Sequence, residues 1–470
     1  MRRLSGFDAA FIYDERPNEP QHTLKISFWG REASARYSFE GSKRLLRARL
    51  SALPPLRWRA LRVPFDLHHP VWVDDPALDL DYHVRRLAVP APADRRALCE
   101  VISELASQPL DAKRPLWEFW LLEGYQGDKV VAVLKLSHAL ADGAQSRRLI
   151  EGLYAEHPLN PAELDQAPSV APAQPLPSRA RLLRDALRDR VRDLAVEGPR
   201  QLRASRAARR RLRAAKLSPR DSLFRLQRTR TPFCGPLSRR RAFYFTSVSL
   251  SQAKEIRNIL GCTINDVVLA TAAGAIRRYL HSRRALPGLP ILAHMPAALG
   301  EDGTREGWGN RITNRSLALP THLADPIQRL RAVSQATTRI KADLAARAGA
   351  NLEDWLRWLP PSAPKALSRA MRALVRVSPK SSAGVTVSNV PGPRQTLYTL
   401  GGPVENFVSV GHMKYAAGLN MTFWSYADQL NVGLYTCGEA CTDLWRVADC
   451  VNEAFEELLK AAAHEAARIA

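Results

Sequence analysis

Cysteine is scarce in this chain of 470 residues. The six present, Cys99, Cys234, Cys262, Cys437, Cys441 and Cys450, form no C-x-x-C pair and have no histidine at ligand spacing. That excludes a zinc module and a disulfide scaffold and leaves reduced structural thiols; no metal site is expected. Cys437 and Cys441 have the spacing of one helix face but no second pair, and His68, His69 and His83 read as surface or core histidines. Long apolar runs are also missing. No stretch approaches the ~18 apolar residues of a membrane span, and the opening Met1-Arg2-Arg3-Leu4-Ser5-Gly6-Phe7-Asp8 lacks the apolar segment of a secretory signal. The expectation is a cytoplasmic protein, free to lie on a membrane surface. Acidic residues are few relative to basic ones, 46 against 69, for a net charge of +23. Between Ser178 and Arg230 eighteen Lys and Arg meet five acidic residues, so more than half of the excess is local. Without a zinc module, an RNP pattern or interleaved aromatics, that charge does not point to nucleic acid.

What is present fits packed globular structure: 46% hydrophobic residues and ten tryptophans, in a chain longer than one core usually serves. Residues 1–157 alternate short strands and helices. His22 to Phe28 alternates apolar and polar residues as a half-exposed strand does, Val130 to Leu136 is a nearly continuous apolar strand, and Leu98, Ile102 and Leu105 recur at helical spacing. Six prolines between Pro158 and Pro177 mark a linker. Beyond it Leu183, Leu187, Val191 and Leu194 form an apolar stripe on an arginine-rich helix, supported by Asp185/Arg188 and Asp189/Arg192 pairs, and Arg203 to Lys216 continues as Arg, Ala and Leu. From Arg241 the α/β texture resumes. Strands are expected at 242–248, 290–295, 385–388, 419–424 and 430–434, a serine-capped helix at 251–260, a buried helix at 265–280 and a closing helix at 442–469. The organisation is therefore α/β, with an N-terminal domain over 1–157, a linker and basic segment over 158–238, and a C-terminal domain over 239–470.

The strand ending at Leu136 delivers Ser137-His138-Ala139-Leu140-Ala141-Asp142-Gly143. An imidazole, with an ordinary pKa near 6.5, can take a proton from an alcohol or thiol and return it within one turnover. Asp142 is too short to be assumed to touch His138; it suits a structural carboxylate that holds the turn, for instance by pairing with an arginine. Gly143 allows an approach that a Cβ would obstruct.

Other motifs accompany this turn in order: Leu4 to Phe11, Gln108 to Glu118 with Pro115-Leu116-Trp117, Thr263 to Ala270 with Asn265 and Asp266, Gly309-Asn310-Arg311, and Ser388-Asn389-Val390-Pro391-Gly392-Pro393. Together they resemble the bacterial wax ester synthase/acyl-CoA:diacylglycerol acyltransferase family, whose hallmark is HHxxxDG, from the N-terminus to about Leu444 except in the middle. The resemblance implies two chloramphenicol-acetyltransferase-like domains with mixed sheets and an active-site tunnel at their interface. It implies acyl-CoA as cosubstrate, no bound cofactor, and diacylglycerol or a long-chain alcohol as acceptor. His138 takes the place of the base, with Asn265 as a donor to the oxyanion or substrate, and Pro115, Leu116, Trp117, Ser137, Asn310, Asn389, Pro391 and Gly392 as pocket residues. Two departures stand out. Ser137 replaces the first histidine of the hallmark, and Met295-Pro296-Ala297-Ala298-Leu299-Gly300 replaces a more polar run ending in arginine.

Three functions follow from these residues. The first is an acyl-CoA-dependent O-acyltransferase making triacylglycerol or wax ester. The second, suggested by Ser137, is a weakened or inactive lipid-surface protein on the same scaffold; the third is an acyltransferase with another alcohol acceptor, left open by the 295–300 run. The arginine-rich helix over 178–216 suits peripheral attachment to the inner membrane or lipid inclusions, since basic amphipathic helices are drawn to anionic lipid.

Overall fold

The computed structural model describes residues 1–470 except 166–167, 169–173, 216–228, 230, 299–307, 357, 378–383, 415–416 and 470. Leu299, Gly300, Lys216 and most of the basic stretch beyond it lie outside the described residues.

Two six-stranded mixed sheets carry the molecule. The first has the order Tyr398–Thr399, Gly402–Val410, His22–Trp29, Lys129–Ser137, Trp117–Tyr125, Val84–Ala88. The second runs Ile312–Leu319, Ile291–Ala298, Val385–Val390, Leu419–Tyr426, Gln429–Cys437, Arg241–Ser249. A three-stranded sheet, Arg2–Arg3, Val71–Asp74 and Trp58–Leu61, flanks the first. The central strand Lys129–Ser137 is apolar from Val130 to Leu134 and at Leu136 because both of its faces are covered, with Lys135 paired to Glu118 inside. Ala132, Leu134 and Leu136 join one core cluster, while Val131 and Val133 join another. Helix Arg95–Ser107 buries Leu98, Ile102 and Leu105 in the latter, beside Phe243 and Phe245 of the second sheet. Helices Ile264–Ser282 and Leu444–Ile469 build the core of the second half.

Several local expectations need correcting. The strand His22–Trp29 keeps its period of two, yet all eight residues are buried: its polar side faces an internal cavity instead of solvent. The boundary at 239 does not separate the sheets, since Gly402–Val410 leaves the C-terminal half to pair with His22–Trp29. The proline-rich linker holds a short helix, Pro161–Asp165, opened by proline where the missing N–H costs nothing. The serine-capped helix spans Leu250–Leu260, one residue earlier than expected, with Ser249 as its cap. Asp185 pairs with Arg181 and Arg184, and Asp189 reaches Arg3 at 2.7 Å, in place of the partners expected from spacing. Cys437 ends a strand and Cys441 follows in a loop, so they share no helix face. His68, His69 and His83 are buried, the first bonded to Asp193.

Among the described residues no single helix is long and apolar enough to cross a bilayer; the bent pair Leu250–Leu260 and Ile264–Ser282 passes by length and composition together, but its apolar side chains fill the core.

Where the halves meet, backbone touches backbone. A Cβ at Gly433, in the second sheet, would run into the Ser409 carbonyl of the first. Gly433→Ala should therefore lower stability by about 1–3 kcal/mol through overpacking, read as a lower urea midpoint. An unchanged midpoint would show that the junction gives way.

Candidate active site

A cavity of about 1040 Å³ lies between the two halves. The first contributes Phe11, Lys25, His138, Asp142 and Gly143; the second contributes His294, Ser388, Asn389, Pro391, His412 and Asn420. Ser409, from the strand that crosses between the halves, also lines it.

His138 follows the last residue of the central strand. Its N–H donates to the Gln21 carbonyl at 2.8 Å. The ring stacks on Phe11 at 4.5 Å between centroids and meets His412 edge-on at 4.6 Å. Nδ1 is sealed from solvent, which leaves Nε2 as the nitrogen available to the cavity. Burial pushes the imidazole pKa down to about 4; Asp142 opposes the shift, while Lys25 and Lys414 add to it. The ring is therefore neutral at pH 7. His412 is held well below its ordinary value by burial and by its neighbours His138 and Lys414, and burial takes His294 to about 4.

Asp142 caps helix Gly143–Leu153. One carboxylate oxygen accepts the Gln145 N–H at 2.9 Å, and the other accepts the Arg311 N–H at 2.8 Å. The arginine partner is thus a main-chain group from the other half of the chain. Beside it the Asn310 amide donates to Asp8 at 2.7 Å and to the His138 carbonyl at 2.8 Å. The Asn310 N–H also donates to Asp8, whose other oxygen accepts from Ser5 Oγ at 2.8 Å. The 309–311 motif and the N-terminal Leu4 to Phe11 motif are one clamp on the His138 turn. Gly309, at φ +123°, occupies backbone space open to glycine. A Cβ on Gly143 would lie 3.0 Å from a Val390 methyl, so glycine there lets the 388–393 loop close on the turn.

The remaining sites divide. Asn389 and Pro391 line the cavity. Gly392 sits behind it, its N–H on Ser425 Oγ at 3.1 Å, with no room for a Cβ against Trp424 and Ser425. Pro115, Leu116 and Trp117 do not line the cavity. They are buried; Trp117 donates to the Leu56 carbonyl at 2.6 Å and stacks on His83, and the Leu116 carbonyl accepts the Ser137 N–H at 2.9 Å. These residues support the strand end from behind, because a tryptophan with a satisfied N–H inside a core has no surface left to offer a substrate. Ser137 also stays off the cavity wall, its Oγ accepting the Ala139 N–H at 3.3 Å. Asn265 lies away from the cavity, its amide on the Met295 sulfur at 3.9 Å, whereas Asp266 completes a capping box with Thr263.

Phe11, the last residue of the N-terminal motif, lines the cavity, and so do residues that the sequence did not single out: Lys25, His294, His412 and Lys414. The signal for Lys25 was present, as a lysine on the polar side of a strand that alternates in the middle of a sheet. Among the described residues no group of His, Cys, Asp and Glu is arranged to hold a metal ion.

A family model described as the wax ester synthase/diacylglycerol acyltransferase catalytic domain matches residues 4–268, and one described as the WS/DGAT C-terminal domain matches residues 308–459. Two Mycobacterium tuberculosis proteins, each named a putative diacylglycerol O-acyltransferase, are 36% and 33% identical to the chain. The first match covers 99% of this chain and 98% of that protein, the second 98% and 90%. The solved wax ester synthase/diacylglycerol acyltransferase from Marinobacter aquaeolei VT8 superposes with a TM-score of 0.66 at 24% identity, over 98% of this chain and 100% of that one. The first condensation domain of the CDA synthetase gives 0.60 at 16% identity, over 98% and 97%. These two structures share the two-domain mixed-sheet fold. With both family models matched in order across most of its length, the chain belongs to the wax ester synthase/diacylglycerol acyltransferase family of acyltransferases.

Proposed function

We propose that this acyltransferase moves a fatty acyl group from the thioester of acyl-CoA to the hydroxyl of diacylglycerol, a long-chain alcohol, or both, with His138 as general base and no resident cofactor. The observation that carries this reading is the His138 imidazole on the cavity wall, its main chain bonded to Gln21 from one half and to the Asn310 amide from the other, with Arg311 holding Asp142 in the same turn. In this reaction Nε2 takes the proton of the acceptor hydroxyl as its oxygen attacks the thioester carbon. The carbonyl electron pair moves onto oxygen, the tetrahedral species collapses, and CoA leaves as the thiolate, to which the imidazolium returns the proton. No acyl-enzyme is needed. The cavity volume is at the upper end of small-molecule sites, which suits long alkyl chains.

Ser137 bears on the alternative of an inactive lipid-surface protein. Its hydroxyl serves the turn and not the cavity, so replacing histidine there leaves the wall intact. Pro296 and Ala298 of that run do line the cavity, which supports a part for these two residues in acceptor choice and keeps a different alcohol in view.

For attachment to the inner membrane or lipid inclusions, the basic segment has the right surface. Helix Arg179–Arg192 rests on the body through Leu182 and Ala186, while Leu187, Val191 and Leu194 are exposed among arginines. This face is the one proposed to enter anionic lipid.

Three outcomes are expected. Given palmitoyl-CoA with diacylglycerol or hexadecanol, the protein should release CoA and form ester, and His138→Ala should lower the rate about 10²- to 10⁴-fold. No ester from either acceptor overturns the reaction, and equal turnover by the variant overturns the base. Because burial holds the imidazole near 4, kcat/KM should not fall as pH drops through 6.5 and should decline only on approach to that value; an acid-side loss of activity at pH 6 to 7 contradicts a buried base. Replacing Leu187, Val191 and Leu194 together by aspartate should abolish sedimentation with anionic liposomes and leave turnover of a soluble short-chain alcohol unchanged.

A further inference from the structure

Two lysines are buried in the first sheet, and they differ in a way that bears on chemistry. Lys135 is paired with Glu118 at 3.3 Å and faces away from the cavity, as a structural lysine does. Lys25 lines the cavity and makes no ion pair among the described residues. Its Nζ donates to Ser409 Oγ at 2.7 Å, on the strand that crosses from the other half, and lies 5.3 Å from the centroid of the Trp424 ring. An ammonium has three donors. Ser409 takes one, and no other hydrogen bond from Nζ exists among the described residues.

The charged and titratable groups around it come from every element that packs there. Asp142 attracts the ammonium but spends both oxygens on main-chain N–H groups. His138 and His412 stand neutral, and Lys414 is ion-paired to Asp14. Leaving a lysine unpaired in a buried wall is costly unless an anion arrives there. An acyl transfer creates one on the carbonyl oxygen of the substrate, and the expected donor for it, Asn265, is not at the cavity.

We propose that Lys25 is a catalytic residue whose ammonium donates to the thioester carbonyl oxygen and stabilises the oxyanion as the acceptor attacks. This rests on the transfer reaction proposed above. Lys25 forms no bond to the substrate and keeps its proton throughout: the pair displaced from the C=O bond resides on oxygen beside Nζ, then re-forms the bond as the C–S bond breaks. Stabilisation of this kind acts only in the transition state, so kcat should fall and KM should not. Burial also brings the Lys25 pKa down to about 7, against the pull of Asp142, so the competent ammonium is lost as pH rises through neutrality.

The test uses the full chain, with CoA release followed for wild type, Lys25→Met and Lys25→Arg, and His138→Ala as reference. Lys25→Met should lower kcat about 100-fold, with KM for palmitoyl-CoA within threefold. The wild-type alkaline limb near pH 7 should be absent from both Lys25 variants. Lys25→Arg keeps a cation at all working pH values and should recover kcat to within about tenfold of wild type. The proposal is overturned if Lys25→Met keeps kcat within threefold, or if both variants lose activity equally while retaining a wild-type urea midpoint. Variants that lose that midpoint assign Lys25 a packing role and overturn it as well. An active wild type with an inactive His138→Ala variant leaves the transfer reaction standing whatever Lys25 shows, so the two failures are distinguishable.

Discussion

The Asn310 side-chain amide has two donors and uses them on two segments far away in sequence, the Asp8 carboxylate and the His138 carbonyl. The site is organised around this interaction. It fixes the main chain at the base from the second half of the molecule, while Arg311 does the same for Asp142. Each contact joins a buried charge or carbonyl to an N–H, a class of bond worth about 1.5–3 kcal/mol when one partner is charged. Losing any of them leaves an unpaired buried acceptor. Both halves bond to the turn, and the strand Gly402–Val410 that leaves one half to complete the other's sheet makes the same point for the fold.

Asp142 illustrates how this differs from a catalytic triad. In a triad the carboxylate bonds to the imidazole and stabilises its charged form. Here both carboxylate oxygens are occupied by Gln145 and Arg311, and the imidazole is kept neutral by burial and by two nearby lysines. In the transfer proposed above, the disfavoured charged form would make the imidazolium short-lived, with its proton passing to the leaving thiolate.

Much of the local structure was legible in the residues. The nearly continuous apolar run 130–136 marked the central strand, since a strand covered on both faces carries apolar residues on both. Ser137 to Gly143 marked the turn, and the cap at Asp142 follows from an aspartate ahead of a helix. The sequence was less informative about facing. The alternation in 22–28 is the same whether the polar side meets solvent or a cavity, and Lys25 turns on that difference. Pro115-Leu116-Trp117 and Asn265 belong to motifs that accompany the base, yet one supports the strand from behind and the other contacts Met295. A motif marks what must be near the site without saying which side of the backbone does the work.

By itself the sequence determined the family and most strands and helices and marked His138 as the candidate base, because strand period, helix caps and the H-x-x-x-D-G spacing are properties of neighbouring residues. Only the tertiary structure decided which polar groups share the cavity. Lys25, His138, Ser409 and His412 line it, with Asp8, Asn310 and Arg311 bracing the turn behind, and these residues come from segments spread along the chain from the N-terminal helix to beyond residue 400, so their hydrogen bonds exist only once the two sheets close on each other.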